Sequence, residues 1–250
     1  MPTSRKLYGT HLRALSILTA VVLTGGFALA AFYAPIEPDQ GFSQKIFYLH
    51  VPLAIVALCG FIFGAVCGIQ YLRTSDPRHD LRSYTAIHQS LIFCAGALVT
   101  GSIWAKAAWG TWWVWDEPTL VSFLIVFLLY ATYQPLRFSI EDPEKQSRYA
   151  SVFAIVAGAF VPLNFLAVRL ANPLIHPRVL NTAGGNLPGD MKVAFYTCLV
   201  GMALLFVTLW KYEMSAKHNR AQLRALKRKL GGPDAAALRG RSAAPRVSAS

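Results

Sequence analysis

Charged residues are scarce in this chain: only 14% of its 250 residues are Asp, Glu, Lys or Arg, whereas 54% are hydrophobic. A soluble domain carries about 25% charged residues, so this composition excludes an ordinary soluble globular protein. Cutting the sequence at its charged residues leaves six long runs, each near the ~20 residues that a helix needs to cross a bilayer. These runs are residues 14–36, 46–72, 83–105, 118–136, 149–168 and 193–210. The sequence therefore predicts an all-α integral membrane protein with six transmembrane helices.

Cysteine is also scarce, and it occurs in no functional pattern. The chain has four cysteines, Cys59, Cys67, Cys94 and Cys198, and all of them fall inside predicted spans. None forms Cys-x-x-Cys or the haem-attaching Cys-x-x-Cys-His. This pattern disfavours a thiol oxidoreductase and a c-type cytochrome, and it favours cysteine as a small apolar filler of the core.

Lysine and arginine are distributed unequally between the two sides of such a topology. Of these 24 residues, 19 fall on the side that holds both termini, and only 5 fall on the other side. Cytoplasmic loops carry an excess of Lys and Arg, so both termini are predicted to be cytoplasmic. Residues 1–212 are expected to form the membrane domain, and residues 213–250 a basic, partly disordered cytoplasmic tail that contacts anionic membrane lipid. The net charge of +12 has this origin, and no folded basic face indicates a nucleic-acid partner.

Tryptophan is concentrated in one place. Five of the six tryptophans lie between residues 104 and 115, and Asp116 follows them directly. Indole is large, flat and amphipathic, so this cluster predicts a surface for a large planar ligand at the membrane–water boundary. The candidate binding residues are Trp104, Lys106, Trp109, Gly110, Trp112, Trp113, Trp115 and Asp116.

The arrangement of this segment depends on its conformation. As an interfacial helix, it would place Trp109, Trp112, Trp113 and Asp116 on one face. Trp104 and Trp115 would then point towards lipid or neighbouring spans. Gly110 either breaks this helix or permits close approach of a ligand. Asp116 has three possible roles: to cap the fourth span, to accept an indole N–H, or to orient a ligand group.

Two histidines, His50 and His176, are predicted to lie on the same outer side as the tryptophans. A pair of neutral imidazoles beside an aromatic surface suits a planar metal complex with two open axial positions, and haem is the common ligand of that shape. Zinc fits less well, because no cysteine or short ligand spacing accompanies the histidines. Haem propionates need cations, and Lys106 is the first choice among the outer lysines and arginines, which are Lys45, Lys106, Arg169, Arg178 and Lys192.

With these residues identified, the chain resembles the haem-handling protein superfamily of cytochrome c biogenesis, which is defined by a tryptophan-rich "WWD" segment. Within it, the chain is similar to the haem exporter protein C family. The resemblance rests on Trp109–Asp116, on His50 in Tyr-Leu-His-Val-Pro and on Thr100-Gly-Ser102, and it extends over residues 14–212.

The resemblance implies a function and a set of partners. Haem b would be held non-covalently and transiently at the outer face of a bacterial cytoplasmic (inner) membrane, with His50 and His176 as its axial ligands. It would then pass to a membrane-anchored haem chaperone. A small single-span partner protein and an ABC-type ATPase complex belong to the same system.

The chain departs from the family pattern at two places. The tryptophan pair that usually precedes the second histidine is replaced by Leu170-Ala-Asn-Pro-Leu-Ile before His176. The arginine that usually stands two residues after the motif aspartate is replaced by Pro118, which leaves open the cation that meets the propionates.

The expected role is haem binding and delivery without bond-making. Two alternatives remain open from the sequence. One is a subunit of a cytochrome c synthase (haem lyase), an enzyme that shares the motif but normally has more spans and more membrane histidines. The other is a membrane transporter for haem or a small substrate, which would favour polar groups or broken helices in mid-membrane.

Overall fold

The computed structural model describes residues 11–36, 38, 40–171, 175–176, 187 and 189–229. Within these residues the chain is helical and contains no strand. Its helices are α1 (Leu12–Ala28), α2 (Phe47–Thr74), α3 (Pro77–Trp109), α4 (Pro118–Ala131), α5 (Tyr133–Phe138), α6 (Pro143–Leu170) and α7 (Gly189–Lys229). A π-helical turn at Leu29–Tyr33 prolongs α1, and a 3₁₀ turn at Phe42–Ile46 leads into α2.

Six helical segments among the described residues are long and apolar enough to cross a membrane. They are Leu12–Tyr33, Phe42–Thr74, Pro77–Trp109, Pro118–Phe138, Pro143–Leu170 and Gly189–Lys227. The prediction of an all-α protein with six such helices is confirmed. Most segments are longer than the predicted runs, because charged residues such as Asp80, Arg148 and Arg169 lie inside the helices and not beyond their ends.

The chain divides by its contacts between Trp210 and Lys211. Residues 11–210 form the membrane bundle. In the second unit, the described residues 211–229 are helical, and Glu213 and Lys217 form an ion pair at i, i+4. The predicted disordered end of the tail, residues 231–250, lies outside the described residues.

Three of the helices begin with a carboxylate followed by proline. The pairs are Asp76–Pro77 at α3, Glu117–Pro118 at α4 and Asp142–Pro143 at α6. Proline suits a first turn because its missing N–H needs no partner there, and the carboxylate accepts N–H groups that the helix leaves unpaired. Asp76 accepts the guanidinium of Arg78 at 2.8 Å and also its backbone N–H at 2.9 Å, and these bonds lower the pKa of Asp76 to about 2. This cap is therefore ionised at neutral pH.

The core of the bundle lies where α2 meets α3 and α6. Small residues allow close contact there: a Cβ on Gly158 of α6 would overlap the Cβ of Ala65 in α2, and one on Gly64 would approach Ile87 of α3 to 2.7 Å. Helices in lipid depend on such close packing because lipid tails are as apolar as the side chains. Phe61 and Tyr130 stack within this core, with ring centroids 3.7 Å apart.

A buried ion pair joins three helices at one end of the bundle. Arg137 of α5 donates to both carboxylate oxygens of Asp80 in α3, at 2.7 and 2.6 Å, and Ser147 of α6 donates to the same carboxylate at 3.0 Å. Such two-bond pairing is the strongest geometry of an arginine with a carboxylate. The loops between α2 and α3 and between α5 and α6 lie at this end. The predicted binding residues belong to the opposite end.

Candidate functional site

A cavity of about 360 Å³ lies at the end of the bundle where α3 and α6 finish and α2 and α4 begin. This volume falls within the range of small-molecule sites, roughly 300–1,000 Å³. Its walls are mainly apolar. Five of the predicted site residues line it, namely His50, Trp104, Trp109, Trp113 and His176.

His50 lies in the first turn of α2 and is oriented by α3. Its Nδ1 lies 2.9 Å from the carbonyl oxygen of Ala97. Because a carbonyl can only accept, Nδ1 carries the proton and Nε2 keeps its lone pair. Histidines that bind metals typically have this arrangement, in which a backbone carbonyl fixes the tautomer. Gly101 makes room for the ring, since a Cβ at that position would lie 2.7 Å from Cε1 of His50.

Trp104 forms the wall beside His50. The two ring centroids are 5.9 Å apart at an interplanar angle of 72°. The indole Nε1 of Trp104 donates to Oε1 of Gln40 at 3.0 Å, which fixes the ring in place. Trp104 was expected to point towards lipid or neighbouring spans, and its ring does contact Phe47 and His50 of the neighbouring α2; the same side chain also lines the cavity.

His176 reaches the cavity from the segment after α6. Its ring centroid lies 6.2 Å from that of Trp109, at an interplanar angle of 69°. Oε2 of Glu117, a fully buried carboxylate, accepts the backbone N–H groups of Ile175 at 3.0 Å and His176 at 3.2 Å. The structure thus brings His50 and His176 to one cavity from elements that are distant in sequence.

The tryptophan segment is not an interfacial helix. Helix α3 ends at Trp109, and Gly110 closes it in the left-handed conformation, with φ 76°. The proposal that these residues share one helical face is therefore wrong for Trp112, Trp113 and Asp116. Trp112 and Trp115 are 58% and 71% exposed, and they border a separate shallow depression together with Trp113.

Asp116 does not cap the fourth span. The cap of α4 is the neighbouring Glu117, whose Oε1 accepts the backbone N–H of Thr119 at 3.3 Å. Asp116 itself is exposed and lies outside the cavity lining.

The predicted cation, Lys106, points away from the cavity. Its Nζ donates to the carbonyl oxygen of Gly110 at 2.8 Å, and the residue is exposed. Of the lysines and arginines that the structure describes, Arg169 alone lines the cavity, with its guanidinium 4.8 Å from the ring centroid of Phe165. Lys45 donates to the carbonyl of Ala34, Lys192 is exposed, and Arg178 lies outside the described residues.

The donor groups of the cavity fit haem. His50 supplies an imidazole nitrogen, and the three tryptophans supply flat apolar walls. Nε1 of Trp113 and Oγ1 of Thr119 are buried and have no acceptor among the described residues, so both can donate to a ligand carboxylate. No cluster of three His, Cys, Asp or Glu occurs in the described part of the chain, so this donor set does not resemble a zinc site.

The sequence did not predict three residues at or beside the cavity. Gln40 accepts a hydrogen bond from Trp104, Glu117 accepts the backbone N–H of His176, and Arg169 lines the cavity in place of Lys106. Only Glu117 had a signal, since Glu117–Pro118 repeats the carboxylate–proline pattern of two other helix starts. Gln40 and Arg169 depend on contacts between segments far apart in sequence.

The fold and this cavity define a multi-pass helical membrane protein with a cavity lined by histidine and tryptophan at one end. The chain belongs to the haem exporter protein C (CcmC) family, whose model matches residues 2–229. This confirms the family that the tryptophan motif indicated.

Curated relatives named "Heme exporter protein C" support the same assignment. The protein of Paracoccus denitrificans is 32% identical over 78% of this chain and 81% of its own length. That of Bradyrhizobium diazoefficiens is 33% identical over 85% of this chain and 80% of its own. That of Escherichia coli K12 is 32% identical over 69% of this chain and 70% of its own.

Proposed function

We propose that this protein binds haem b non-covalently at the extracytoplasmic face of a bacterial cytoplasmic membrane and delivers it for cytochrome c biogenesis. The observation that carries this proposal is the convergence of His50, His176 and three tryptophans on one cavity. Haem is cargo here, held transiently, and the chain itself makes no bond in it.

The two histidines are the proposed axial ligands. The bond from Nδ1 of His50 to Ala97 leaves Nε2 available for iron. His176 supplies the second imidazole from the segment after α6. The indoles of Trp104, Trp109 and Trp113 contact the macrocycle as flat apolar walls.

The propionates are proposed to meet Arg169, Trp113 and Thr119. The guanidinium supplies positive charge, and the indole N–H and the hydroxyl supply two further donors within the same cavity. In this chain Arg169 takes the part that sequence reasoning assigned to Lys106.

The sidedness of the site follows from charge. The 19 lysines and arginines that the topology assigns to the side of the termini support a cytoplasmic location for both termini. The haem cavity then faces the extracytoplasmic side. From there the proposed recipient is a membrane-anchored haem chaperone, and the proposed assembly includes a small single-span protein and an ABC-type ATPase complex.

Haem titration of the purified protein tests this function. Added haem should produce a Soret band, and acidified organic solvent should extract all of it as haem b. The loaded protein should lose its band to an added apo-chaperone. A synthase would instead leave haem attached to apocytochrome c by thioether bonds. If the protein develops no Soret band after haem addition, the proposed function is wrong.

A further inference from the structure

We propose that Glu117 is the positioning residue that holds His176 at the haem cavity, an inference that rests on the proposed function of His176. The carboxylate of Glu117 both caps α4 and accepts backbone N–H groups of residues 175–176, the histidine segment. It thereby connects the end of the tryptophan segment to a loop that lies 58 residues further along the chain.

The two carboxylate oxygens of Glu117 accept hydrogen bonds from two different segments. Oε1 accepts the N–H of Thr119 in the first turn of α4, at 3.3 Å. Oε2 accepts the N–H groups of Ile175 and His176, at 3.0 and 3.2 Å. The side chain is completely buried, so these bonds replace the water that its carboxyl oxygens would otherwise lose on burial. The backbone of His176 is therefore fixed by a buried acceptor.

Comparison with the two equivalent helix starts indicates why this residue is a glutamate. Asp76 and Asp142 cap α3 and α6 in the same carboxylate–proline arrangement, and each bonds to backbone N–H groups of its own helix. Aspartate therefore suffices for capping in this protein. Glu117 has one more methylene, and its second oxygen bonds to residues of another segment. The additional length serves the histidine segment and not the helix.

The position of His176 depends on this contact because the residue lies in a loop. His50 is fixed by a helix and by the bond to Ala97, whereas a ligand on a loop keeps its geometry only if neighbouring groups hold the backbone. The ring of Trp109 packs edge-on against the imidazole and so restrains the side chain. Glu117 restrains the backbone.

The decisive variant is Glu117→Asp, which keeps a good helix cap but shortens the side chain. We expect its melting temperature to stay near that of the wild type, whereas Glu117→Ala also loses the cap. Asp142→Ala is the control for the loss of a cap alone, because it removes the carboxylate cap of α6 at the other end of the bundle. All variants are tested in the full-length purified protein.

The first measurement needs no haem. In a His176→Cys protein, alkylation by a charged maleimide should be about tenfold faster with Glu117→Asp, the factor that corresponds to about 1.4 kcal/mol of lost restraint. Asp142→Ala should leave the rate unchanged. An equal rate with and without Glu117→Asp would overturn the proposal.

The second measurement uses the haem-loaded protein. Glu117→Asp should shift the spectrum from low spin towards high spin, and added imidazole should restore it, while Asp142→Ala should remain low spin. If His176→Ala changes the spectrum but Glu117→Asp does not, the positioning role is wrong. If His176→Ala itself leaves the spectrum unchanged, the assignment of His176 as an iron ligand is wrong, and the alkylation rate alone decides whether Glu117 holds the segment.

Discussion

The tryptophans of this protein divide into two groups with different surroundings. Trp104, Trp109 and Trp113 line the cavity, whereas Trp112 and Trp115 are largely exposed. Gly110, whose left-handed conformation ends α3, does not separate the two groups, since Trp104 and Trp109 precede it and Trp113 follows it. Neighbouring tryptophans of one motif therefore lie on two different surfaces, the cavity wall and the exposed exterior.

Replacing single tryptophans tests this division. Trp109→Ala and Trp113→Ala should each weaken haem binding, because every aromatic contact contributes about 0.5–1.5 kcal/mol beyond its buried area. That corresponds to an increase in Kd of roughly twofold to tenfold. Trp112→Ala is the matched control and should leave Kd nearly unchanged. Titration monitored at the Soret band measures the Kd of all three variants. An equal loss of affinity in Trp112→Ala would contradict the assignment of Trp109 and Trp113, but not Trp112, to the cavity wall.

Arg169 carries a second prediction. Arg169→Gln should weaken haem binding by roughly tenfold to a hundredfold, since hydrogen bonds to charged groups contribute about 1.5–3 kcal/mol. It should not weaken binding of haem dimethyl ester, whose propionates are neutral. Lys106→Gln removes an equal charge outside the cavity and should affect neither ligand. A loss of affinity for both ligands would show that Arg169 supports the fold and not the propionates.

Small residues in the core let the helices of the bundle pack closely, and carboxylate caps stabilise the starts of three of them. The cap pattern is visible in the sequence because carboxylate and proline are adjacent. The residues that contact Gly158 and Gly64 cannot be read from the sequence, because Ala65 and Ile87 lie on other helices. The sequence therefore predicts the number of spanning helices more readily than how they pack.

Glycine-to-alanine substitutions test the packing of α6 against α2. Gly158→Ala places a Cβ against Ala65, and overpacking of this kind typically costs about 1–3 kcal/mol. Gly25→Ala in α1 has open space around it and should be neutral or slightly stabilising. The midpoint of unfolding in mixed SDS micelles should fall for Gly158→Ala only. Equal midpoints for the two variants would contradict the tight contact.

The candidate site shows the same difference between features visible in a short stretch of sequence and contacts between distant segments. His50 and the tryptophans were predictable because aromatic clusters and a histidine inside an apolar run stand out in the sequence. The positions of Trp112 and Trp115 depend on where α3 ends, and Gly110 decides that. Arg169 was one of five possible cations until the fold brought it to the cavity and turned Lys106 away. Sequence supplies the residue types of a site, but long-range contacts select among them.

The membrane bundle, residues 11–210, has two dissimilar ends. One carries the buried pair of Asp80 and Arg137, and the other carries the cavity. The excess of lysine and arginine on the side of the ion pair predicts that this end is cytoplasmic.

Labelling of introduced cysteines in intact cells tests the orientation. Thr111 and Glu141 are exposed at opposite ends of the bundle. Thr111→Cys should react with a membrane-impermeant thiol reagent, and Glu141→Cys should react only after permeabilisation. The reverse pattern would place the cavity on the cytoplasmic side.

The proposed function depends above all on His50 and His176 binding the same haem iron. Magnetic circular dichroism of the haem-loaded protein distinguishes this ligand pair from others. The wild-type protein should give a six-coordinate, low-spin signal with two histidine ligands. His50→Ala and His176→Ala should each give a high-spin signal that added imidazole partly reverses. If both variants retain the wild-type low-spin signal, other groups hold the iron and the proposed pair of histidine ligands is wrong.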